Sequence, residues 1–344
     1  MKAEGISVLI PSGAGAPGFA GIAACLREES GLRLISGDVN ENAYGKSLSD
    51  AFYAMPPSNS SGYINRVLEI CELEKVQVVL PITTAELESL SAHRDVFVKK
   101  GVLLIISPEK GLKEANDKGI LHTKAQEIGV AVPEGKVCEN RNEFEEVAKD
   151  LLSRHARLFF KPVRGNGSRG IGLIGRDVEP ITAAHKPELM PLRLSEWMLR
   201  LPECFEVPLL LTEYLPGKEY SVDVFIWPGY DTLAIPRSRD KMVSGISVSG
   251  TFECNEILIE ASKLLVTSLE LEGPIGVQWR YNAEGIPHLL EINPRLQGTT
   301  SALRHAGLNV PLMAVKRALG RPVDLPENFF WGRGFTRHWQ DVFL

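Results

Sequence analysis

Short apolar segments and amphipathic segments alternate along the first third of the chain. Apolar runs lie at 6–10, 32–37, 76–80 and 102–106, and patterns typical of helices separate them at 19–29, 63–74 and 86–99. Runs of about five apolar residues have the length of strands that are buried on both faces. Because strands and helices alternate, the pattern predicts a parallel, doubly wound α/β sheet.

In the rest of the chain, several strands follow one another without a helix between them. Apolar runs at 157–163 and 171–174 are separated by a glycine-rich loop, and two further runs flank Pro216-Gly217. Strands at 275–281 and 288–293 are joined by a turn at 282–285. Each of these three pairs predicts an antiparallel hairpin. A helix-like stretch at 111–129 is broken at 116–119.

Composition and charge exclude several classes of protein. Of the 344 residues, 44% are apolar and 24% are charged, and the net charge is −5. This composition predicts a globular protein of two or three domains, and the acidic balance argues against nucleic-acid or anionic-membrane partners. Five widely spaced cysteines without a CxxC pair argue against a disulfide framework or a zinc knuckle. No apolar stretch approaches the ~20 residues of a membrane span and no signal-peptide pattern is visible, so a cytoplasmic protein is expected.

The first turn of the predicted sheet carries the spacing G-x-G-x-x-G. Gly13, Gly15 and Gly18 precede the first helix, and Asp38 ends the second apolar run. This order is typical of a dinucleotide site, in which glycines approach a pyrophosphate and the acid binds a ribose. Any tight turn between a strand and a helix also favours glycines, and Pro17 removes a backbone N–H that could face a phosphate. An NAD-dependent oxidoreductase is therefore one alternative.

A lysine inside an apolar run is followed at once by a glycine-rich loop. Lys161 lies within the run 158–163, and the loop 164–172 carries four glycines. Burial of an ammonium group is costly unless it meets an anion. A glycine loop between two strands lets backbone N–H groups approach phosphate oxygens, as in kinases, whereas a P-loop would open a helix. The lysine and the loop together predict a site for nucleotide phosphates.

The strand pair at 275–281 and 288–293 brings together three side chains with oxygen ligands. Glu291 and Asn293 alternate on one strand and share a face, and Gln278 lies on the other strand. Carboxylate and amide oxygens suit Mg²⁺ beside phosphates. Arg295, two residues after Asn293, is expected to face the same site and to hold a transferring phosphate.

The order of these motifs resembles the ATP-grasp superfamily, most closely its carbamoyl-phosphate-synthase large-subunit-like branch. The segments that carry the resemblance are 116–118, Lys161 with the 165–172 loop, 213–219, Gln278 and 291–295. The segments 13–18, 37–40 and 80–84 resemble the pre-ATP-grasp domain of that branch. The resemblance implies an α/β fold, with an N-terminal Rossmann-like pre-ATP-grasp domain at 1–107 and a two-lobed α+β ATP-grasp domain at 108–344. The second domain would comprise a lid subdomain at about 134–211 and a C-terminal lobe at about 212–344.

The resemblance also implies a role for each matched residue. Lys118 and Lys161 would contact ATP phosphates, and Lys161 and Arg295 would be catalytic. The lid loop would comprise Gly165, Gly167, Ser168 and Gly170. Glu213 and the backbone of Tyr214 and Leu215 would lie at the adenine, and Glu219 at the ribose. The ligands of Mg²⁺, with Mn²⁺ as an alternative metal, would be Gln278, Glu291 and Asn293; Gln278 stands where many members have an acid.

The chemistry that the resemblance implies is ligation in two steps. A carboxylate would attack the γ-phosphate of ATP to give an acyl phosphate and ADP, and an amine or similar nucleophile would then displace phosphate. Arg237 and Arg239 lie in a basic cluster between the adenine segment and the metal hairpin, and they are expected to bind the substrate carboxylate. Expected partners are small-molecule carboxylate and amine substrates, and a homodimer is a further expectation. A second alternative is an ATP-binding protein that has lost catalysis.

Overall fold

The computed structural model of the protein describes residues 5–165, 170–176, 190–243, 245–323, 325–326, 329–338 and 340–343. Gly167 and Ser168, both expected in the lid loop, lie outside these ranges. Within the ranges, no helix combines the length and the apolar character that crossing a bilayer requires.

A five-stranded parallel sheet occupies the first third of the described chain. Its strands are β1 Ser7–Ile10, β2 Arg33–Asp38, β3 Ala51–Ala54, β4 Val78–Val79 and β5 Leu103–Leu104. They lie in the order β3-β2-β1-β4-β5, and every pairing is parallel. The prediction of a parallel, doubly wound sheet is confirmed. The pattern did not predict β3, because this edge strand is only half-buried and lacks a long apolar run.

Six helices among the described residues cover this sheet or lead away from it. They are α1 Phe19–Leu26, α2 Tyr63–Leu73, α3 Thr84–Ala92, α4 Arg94–Lys99, α5 Glu109–Asn116 and α6 Lys118–Glu127. The single helix predicted at 86–99 is wrong, since the chain turns at His93 between α3 and α4. The predicted break at 116–119 is confirmed. There the Asp117 carboxylate caps α6 by accepting hydrogen bonds from the N–H groups of Gly119 and Ile120.

A four-stranded antiparallel sheet follows, in the order β6-β9-β7-β8. Its elements in chain order are β6 Gly135–Asn140, α7 Arg141–Arg154, β7 Arg157–Pro162, β8 Gly172–Gly175, α8 Leu194–Arg200 and β9 Cys204–Glu213. The predicted hairpin of β7 and β8 is confirmed. Trp197 packs edge-on against Phe160 with 4.8 Å between ring centroids, so α8 closes the core of this sheet.

The last part of the described chain forms two further sheets. Their strands are β10 Glu219–Ile226, β11 Leu233–Ser238, β12 Lys241–Val243, β13 Ile246–Thr251, β14 Gly273–Tyr281, β15 Pro287–Asn293 and β16 Gly334–Thr336. One sheet has the order β11-β10-β14-β15 and the other β12-β13-β16. The accompanying α-helices are α9 Glu256–Ser268 and α10 Val310–Ala318, and 3₁₀ helices lie at Tyr44–Leu48 and Thr300–Ala306. The predicted β14–β15 hairpin is confirmed.

The predicted hairpin around Pro216-Gly217 is wrong. β9 pairs with β6 and β7, whereas β10 pairs with β11 and β14 in a different sheet. The N–H of Gly217 donates to the carbonyl oxygen of Tyr281 at 2.9 Å, and a Cβ on Gly217 would lie 2.6 Å from that oxygen. The segment after β9 therefore docks on the end of β14, and the chain passes into a second sheet.

Candidate active site

A pocket of about 860 Å³ lies where the parallel sheet and the two four-stranded sheets meet. Its walls come from the glycine turn after β1, the loop before α3, the start of α6 and strands of both four-stranded sheets. Every described residue that was assigned to the nucleotide, the metal or the substrate carboxylate of the ligase lines this pocket, except Gly170. Of the residues assigned to a dinucleotide, Gly18 lines it, whereas Gly13, Gly15 and Asp38 do not. Residues from distant parts of the chain thus form one concave site of the size that small-molecule ligands use.

One part of the pocket is an apolar slot beside an unpaired backbone amide. Its lining includes Val132, Phe159, Leu173, Leu210, Leu215 and Leu289. Leu215 is 4% exposed, and among the described residues its N–H has no hydrogen-bond partner. Buried N–H groups are nearly always paired. The slot therefore fits a planar ring that carries a hydrogen-bond acceptor at its edge, such as a purine base.

Glu213 and Glu219 lie at the two ends of the segment that links β9 to β10. The side chains are 17% and 12% exposed. Oε1 of Glu213 accepts the N–H of Glu134 at 2.9 Å, and Oε1 of Glu219 pairs with Nε of Arg239 at 2.9 Å. Both carboxylates are thus held by protein groups while they face the pocket. Their assignment to adenine and ribose stays a prediction.

A buried lysine, Lys118, and a half-buried one, Lys161, face the carboxylate of Glu291. Nζ of Lys118 donates to the carbonyl oxygen of Gly165 at 2.9 Å, and Nζ of Lys161 donates to that of Leu290 at 2.7 Å. Burial lowers the pKa of Lys118, although the negative charge of Glu291 acts in the opposite direction. Burial alone would raise the pKa of Glu291, but the charges of Lys161 and Lys118 outweigh it and hold this pKa below its usual value. One carboxylate therefore faces two ammonium groups. The net positive charge of this group favours the binding of a further anion.

A β-bulge between β14 and β15 shapes the predicted metal site. Gln278 lies opposite Glu291, whereas the next residue, Trp279, lies opposite Leu289. The extra residue is Leu290, whose carbonyl oxygen accepts the hydrogen bond from Lys161. Bulges redirect neighbouring side chains and are frequent beside active sites. The alternation of inward- and outward-facing residues that the sequence predicts for a strand gave no indication of this bulge.

The predicted metal ligands provide one carboxylate and two amide groups. In the part of the chain that the structure describes, no group of three or more His, Cys, Asp or Glu side chains is arranged so that it could hold a metal ion by itself. Mg²⁺ is commonly held by one or two carboxylates together with substrate phosphates and water, so Glu291 and Gln278 fit such an ion. Asn293 is already engaged, since Nδ2 donates to Glu291 and Oδ1 accepts from Arg295, each at 3.1 Å. Its amide would have to turn to bind a metal.

Arg295 connects the β14–β15 hairpin to the parallel sheet. Its Nε donates to Oγ1 of Thr84 at 3.1 Å, and its Nη1 donates to the carbonyl oxygen of Leu296 at 2.8 Å. Burial lowers the pKa of Arg295, but a guanidinium remains charged at neutral pH. Thr84 received no individual role from the sequence, although the segment 80–84 was part of the resemblance.

Arg237 and Arg239 line the pocket, and both already have carboxylate partners. Arg237 is 1% exposed, and its Nε pairs with Asp223 at 2.7 Å while Nη1 donates to Ser247. Arg239 pairs with Glu219, and its Nη1 and Nη2 donate to Ser221 and to the carbonyl oxygen of Gly245. Among the described residues, nothing accepts a hydrogen bond from Nη2 of Arg237. Of the two, Arg237 therefore retains a donor for a ligand.

The G-x-G-x-x-G turn makes close contacts within the protein itself. The N–H of Gly15 donates to the Asp38 carboxylate at 2.8 Å, so the acid that a dinucleotide site would place on a ribose binds the turn. A Cβ on Gly18 would lie 2.7 Å from Cα of Gly298, in the loop after β15. These contacts explain why glycine stands at positions 15 and 18 even if no nucleotide binds there. The alternative of an NAD-dependent oxidoreductase therefore loses its main support.

Two residues at the ends of the predicted lid loop are described. Gly165 has φ +127°, and its carbonyl oxygen accepts the hydrogen bond from Lys118. Gly170 has φ +68°, and a Cβ there would lie 3.0 Å from Cγ of Pro162. Both conformations favour glycine. The role of Gly167 and Ser168 stays a prediction.

Two family models match separate parts of the chain. A model described as a PylC-like N-terminal domain matches residues 20–105. A model described as ATP-grasp in the biosynthetic pathway with Ter operon matches residues 205–333.

Curated relatives include the carbamoyl phosphate synthase large chains of Methanosarcina acetivorans and Methanosarcina mazei. Each is 22% identical over 243 residues, which are 70% of this chain and 22% of the relative. The match thus spans about a fifth of the length of these relatives.

Solved structures share the fold across nearly the whole chain. N5-carboxyaminoimidazole ribonucleotide synthetase, in its ADP complex, has a TM-score of 0.71 at 16% identity, covering 94% of this chain and 79% of that one. Biotin carboxylase from Campylobacter jejuni, in a β-γ-ATP complex, has a TM-score of 0.70 at 16% identity, covering 95% and 74%. These similarities therefore show the fold of the chain: an N-terminal parallel sheet is followed by the antiparallel sheets of the ATP-grasp fold.

Proposed function

Because this chain carries an ATP-grasp domain behind a PylC-like N-terminal domain, we propose that it is an ATP-dependent, ADP-forming ligase. It activates a carboxylate as an acyl phosphate and couples it to an amine or a similar nucleophile. The observation that carries the proposal is the placement of Glu291 against Lys118 and Lys161 beside an apolar slot. A site with two ammonium groups, one carboxylate and a slot for a planar ring suits a nucleotide that brings its own phosphates and metal.

The nucleotide lies with its base in the apolar slot. The N–H of Leu215 donates to a ring nitrogen, the segment Glu213–Tyr214 lies at the edge of the base, and Glu219 binds the ribose. Lys118 and Lys161 bind the phosphates, and the lid loop with Gly165, Gly167, Ser168 and Gly170 covers them. Mg²⁺, or Mn²⁺, when bound by Glu291, Gln278 and Asn293, neutralises phosphate charge.

The reaction needs no protein nucleophile. In the first step, a carboxylate oxygen of the substrate attacks the γ-phosphorus, and the bond to the β-phosphate oxygen breaks, so that ADP leaves with the electron pair. In the second step, the amine attacks the acyl carbon, inorganic phosphate leaves, and the proton of the amine passes to water. Lys161 and Arg295 stabilise the negative charge that develops on the transferring group, so the protein contributes positioning and charge.

The substrate carboxylate lies toward Arg237. Arg237 lines the pocket and its Nη2 has no acceptor among the described residues, whereas all three nitrogens of Arg239 are engaged. A guanidinium matches the planar geometry of a carboxylate. Arg237 therefore contacts the substrate directly. Arg239 acts indirectly, because it fixes the carboxylate of Glu219.

The names of the similar proteins agree with this chemistry at a general level. They are a carbamoyl phosphate synthase chain, a carboxyaminoimidazole ribonucleotide synthetase crystallised with ADP, and a biotin carboxylase crystallised with a nucleotide. The domain limits at 107 and 211 and association as a homodimer stay predictions.

Thermal unfolding with three ligands tests the proposal. The protein is heated with ATP plus Mg²⁺, with ATP plus EDTA, and with NADH. A ligand at 100 times its Kd adds about 2.7 kcal/mol of stability, which moves the midpoint by several degrees. We expect a shift with ATP plus Mg²⁺ that shrinks with EDTA. A shift with NADH alone would contradict the proposal and support the oxidoreductase alternative.

The same samples separate the ligase from a silent ATP-binding protein. ADP release is measured with Mg²⁺-ATP and a panel of small carboxylates and amino acids. Release that rises with one carboxylate supports the ligase. ATP binding without ADP release under any of these conditions favours the silent protein.

A further inference from the structure

The carboxylate of Asp223 is shared between two distant parts of the chain. Asp223 lies on β10 and is 4% exposed. Its Oδ2 accepts a hydrogen bond from Nε of Arg237 at 2.7 Å, and its Oδ1 accepts one from Oγ1 of Thr300 at 2.5 Å. Thr300 is the first residue of the 3₁₀ helix that follows the β14–β15 hairpin. The two oxygens of this buried carboxylate are therefore held by different residues.

The loop that leads to Thr300 packs closely against β14. Gly276 lies opposite Asp223 in the register of β10 and β14, and a Cβ on Gly276 would lie 2.2 Å from Cγ of Gln297. Nε2 of Gln297 donates a second, longer hydrogen bond to Oδ1 of Asp223, at 3.5 Å. The N–H of Gln297 donates to Oγ1 of Thr300 at 3.0 Å, so the hydroxyl accepts from the loop and gives its own proton to Asp223. Both acceptor positions of Oδ1 are thus in use.

Arg237 makes only half of the usual pair with this carboxylate. An arginine often binds a carboxylate through two parallel N–H groups. Nε and Nη2 lie on the same edge of the guanidinium, so the second bond of such a pair would join Nη2 to Oδ1 of Asp223. Nη1 donates instead to Oγ of Ser247 at 3.0 Å, and among the described residues nothing accepts from Nη2. The second bond is absent where Oδ1 is occupied by Thr300.

We propose that Thr300 is a positioning residue that keeps Nη2 of Arg237 available to the substrate carboxylate. The inference rests on the proposed role of Arg237. Arg237 lines the pocket, whereas Asp223 and Thr300 do not, so Thr300 acts through Asp223 and not by touching the ligand. Without the hydroxyl, Oδ1 of Asp223 is free to take Nη2 and complete the pair. A substrate carboxylate would then have to displace that bond.

Three substitutions at one position test this inference. T300V keeps the shape of the side chain without the hydroxyl, T300A removes the hydroxyl with less bulk, and T300S retains it. T123V is the matched control, because Oγ1 of Thr123 only bonds within α6. The probes are acetate, succinate, L-alanine and L-glutamate, each added to Mg²⁺-ATP in an ADP-release assay. KM and kcat are measured for the probe with the highest rate, and thermal midpoints verify folding.

We expect T300V and T300A to raise the KM of that carboxylate by about tenfold, as the loss of one charge-assisted hydrogen bond implies. The kcat should stay within about twofold, since the change removes binding of the carboxylate and leaves Lys161 and Arg295 in place. T300S and T123V should match the unsubstituted protein. In an R237K background, T300V should alter the KM by less than about twofold, because the residue through which Thr300 acts is already gone.

A crystal structure of T300V gives a second measurement that needs no substrate. Nη2 of Arg237 should lie within hydrogen-bond distance of Oδ1 of Asp223 in this variant. In T300S, the hydroxyl should hold Oδ1 as it does in the unsubstituted protein. If T300V does not fold, T300A takes its place in both measurements, since it also lacks the hydroxyl.

The inference is overturned if T300V and T300A leave the KM unchanged, or if T300V raises it equally in the R237K background. It is also overturned if Nη2 stays apart from Oδ1 in the crystal structure of T300V. If none of the probes stimulates ADP release by the unsubstituted protein, the proposed function is contradicted instead. The crystal structure then still decides whether Thr300 controls the pairing of Arg237 with Asp223.

Discussion

The guanidinium of Arg295 donates a hydrogen bond from Nε to Oγ1 of Thr84, at 3.1 Å, although the two residues lie 211 positions apart. Thr84 is the first residue of α3, the helix that follows β4 of the parallel sheet. The N-terminal part of the chain therefore contributes to the orientation of Arg295, a proposed catalytic residue. The relationship makes the first third of the chain part of the site and not only a support for it.

Replacing Thr84 with valine should slow the reaction with little effect on nucleotide affinity. T84V keeps the shape of the side chain and removes the hydroxyl, so Arg295 loses one of its fixed partners. We expect ADP release to fall by about fivefold, the factor that a typical hydrogen bond of about 1 kcal/mol implies. T123V is the control, because Oγ1 of Thr123 only bonds within α6. An unchanged rate would mean that Thr84 does not position Arg295.

Replacing Glu291 with glutamine should remove the metal dependence of nucleotide binding. E291Q deletes the single carboxylate among the predicted metal ligands and leaves Lys118 and Lys161 without their shared counter-charge. The ligand-free protein should be less stable, because the two ammonium groups then lose the attraction of the Glu291 charge. Thermal shifts with ATP should become insensitive to EDTA. E284Q, in the exposed turn of the same hairpin, should behave like the unsubstituted protein; an EDTA effect that persists in E291Q would place the metal elsewhere.

Replacing Arg237 with lysine should raise the KM for the carboxylate substrate. R237K keeps a positive charge beside the buried Asp223, but one ammonium cannot serve both Asp223 and a substrate carboxylate with the geometry of a guanidinium. We expect the KM of the carboxylate found by the ADP-release screen to rise by about tenfold, with ATP affinity unchanged. R333K, on an exposed part of the chain, is the control. Unchanged KM and kcat would show that Arg237 does not bind the substrate.

Replacing Gly18 with alanine should destabilise the protein. The added methyl group would lie 2.7 Å from Cα of Gly298, and backbone cannot move aside as a flexible side chain can. Urea unfolding should show a loss of about 1–3 kcal/mol, the usual effect of overpacking. G62A is the matched control, since Gly62 has φ −86° and a Cβ there meets nothing within 4 Å. Equal stability of the two variants would contradict the close packing of the glycine turn.

Glu74 should contribute stability that disappears in acid. Hydrogen bonds from Tyr53, at 2.5 Å, and from Arg33 hold the pKa of Glu74 below its usual value of 4.5. A carboxylate with a lowered pKa stabilises the fold above its unfolded pKa, and this contribution is lost as the pH falls through the folded pKa. E74Q should cost about 1 kcal/mol at pH 7, a figure discounted for the half-exposed Arg33. The cost should shrink as the pH falls below 4 in urea titrations; E72Q, on the exposed face of α2, should show no such pH-dependent cost.

Most of the candidate site was predictable because strand periodicity fixes which side chains share a face. Glu291 and Asn293 are two residues apart on β15, and Gln278 lies directly opposite Glu291 on the paired strand. The burial of Lys161 in an apolar run likewise indicated an anion before any fold was known. These inferences needed only local geometry and the cost of burying charge.

The errors arose where local patterns were ambiguous. Pro216-Gly217 between two apolar runs is typical of a hairpin, yet contact of Gly217 with Tyr281 sends the chain into another sheet. The glycine turn after β1 is typical of a dinucleotide site, yet Gly18 packs on Gly298. In both cases a glycine is required because the backbone closely approaches a distant part of the chain. The local sequence gives no indication of which distant residue that is.

The sequence by itself determined the alternation of strands and helices, the antiparallel β14–β15 hairpin and the residue types of the candidate site, because these follow from periodicity and from the chemistry of side chains. Only the tertiary structure decided which groups are already paired. It showed that Arg239 is engaged, that Arg295 reaches Thr84 and that Asp223 is shared between Arg237 and Thr300. The physical reason is that hydrogen bonds and ion pairs depend on distances of a few ångströms between residues far apart in the chain, and those distances exist only after the sheets have packed together.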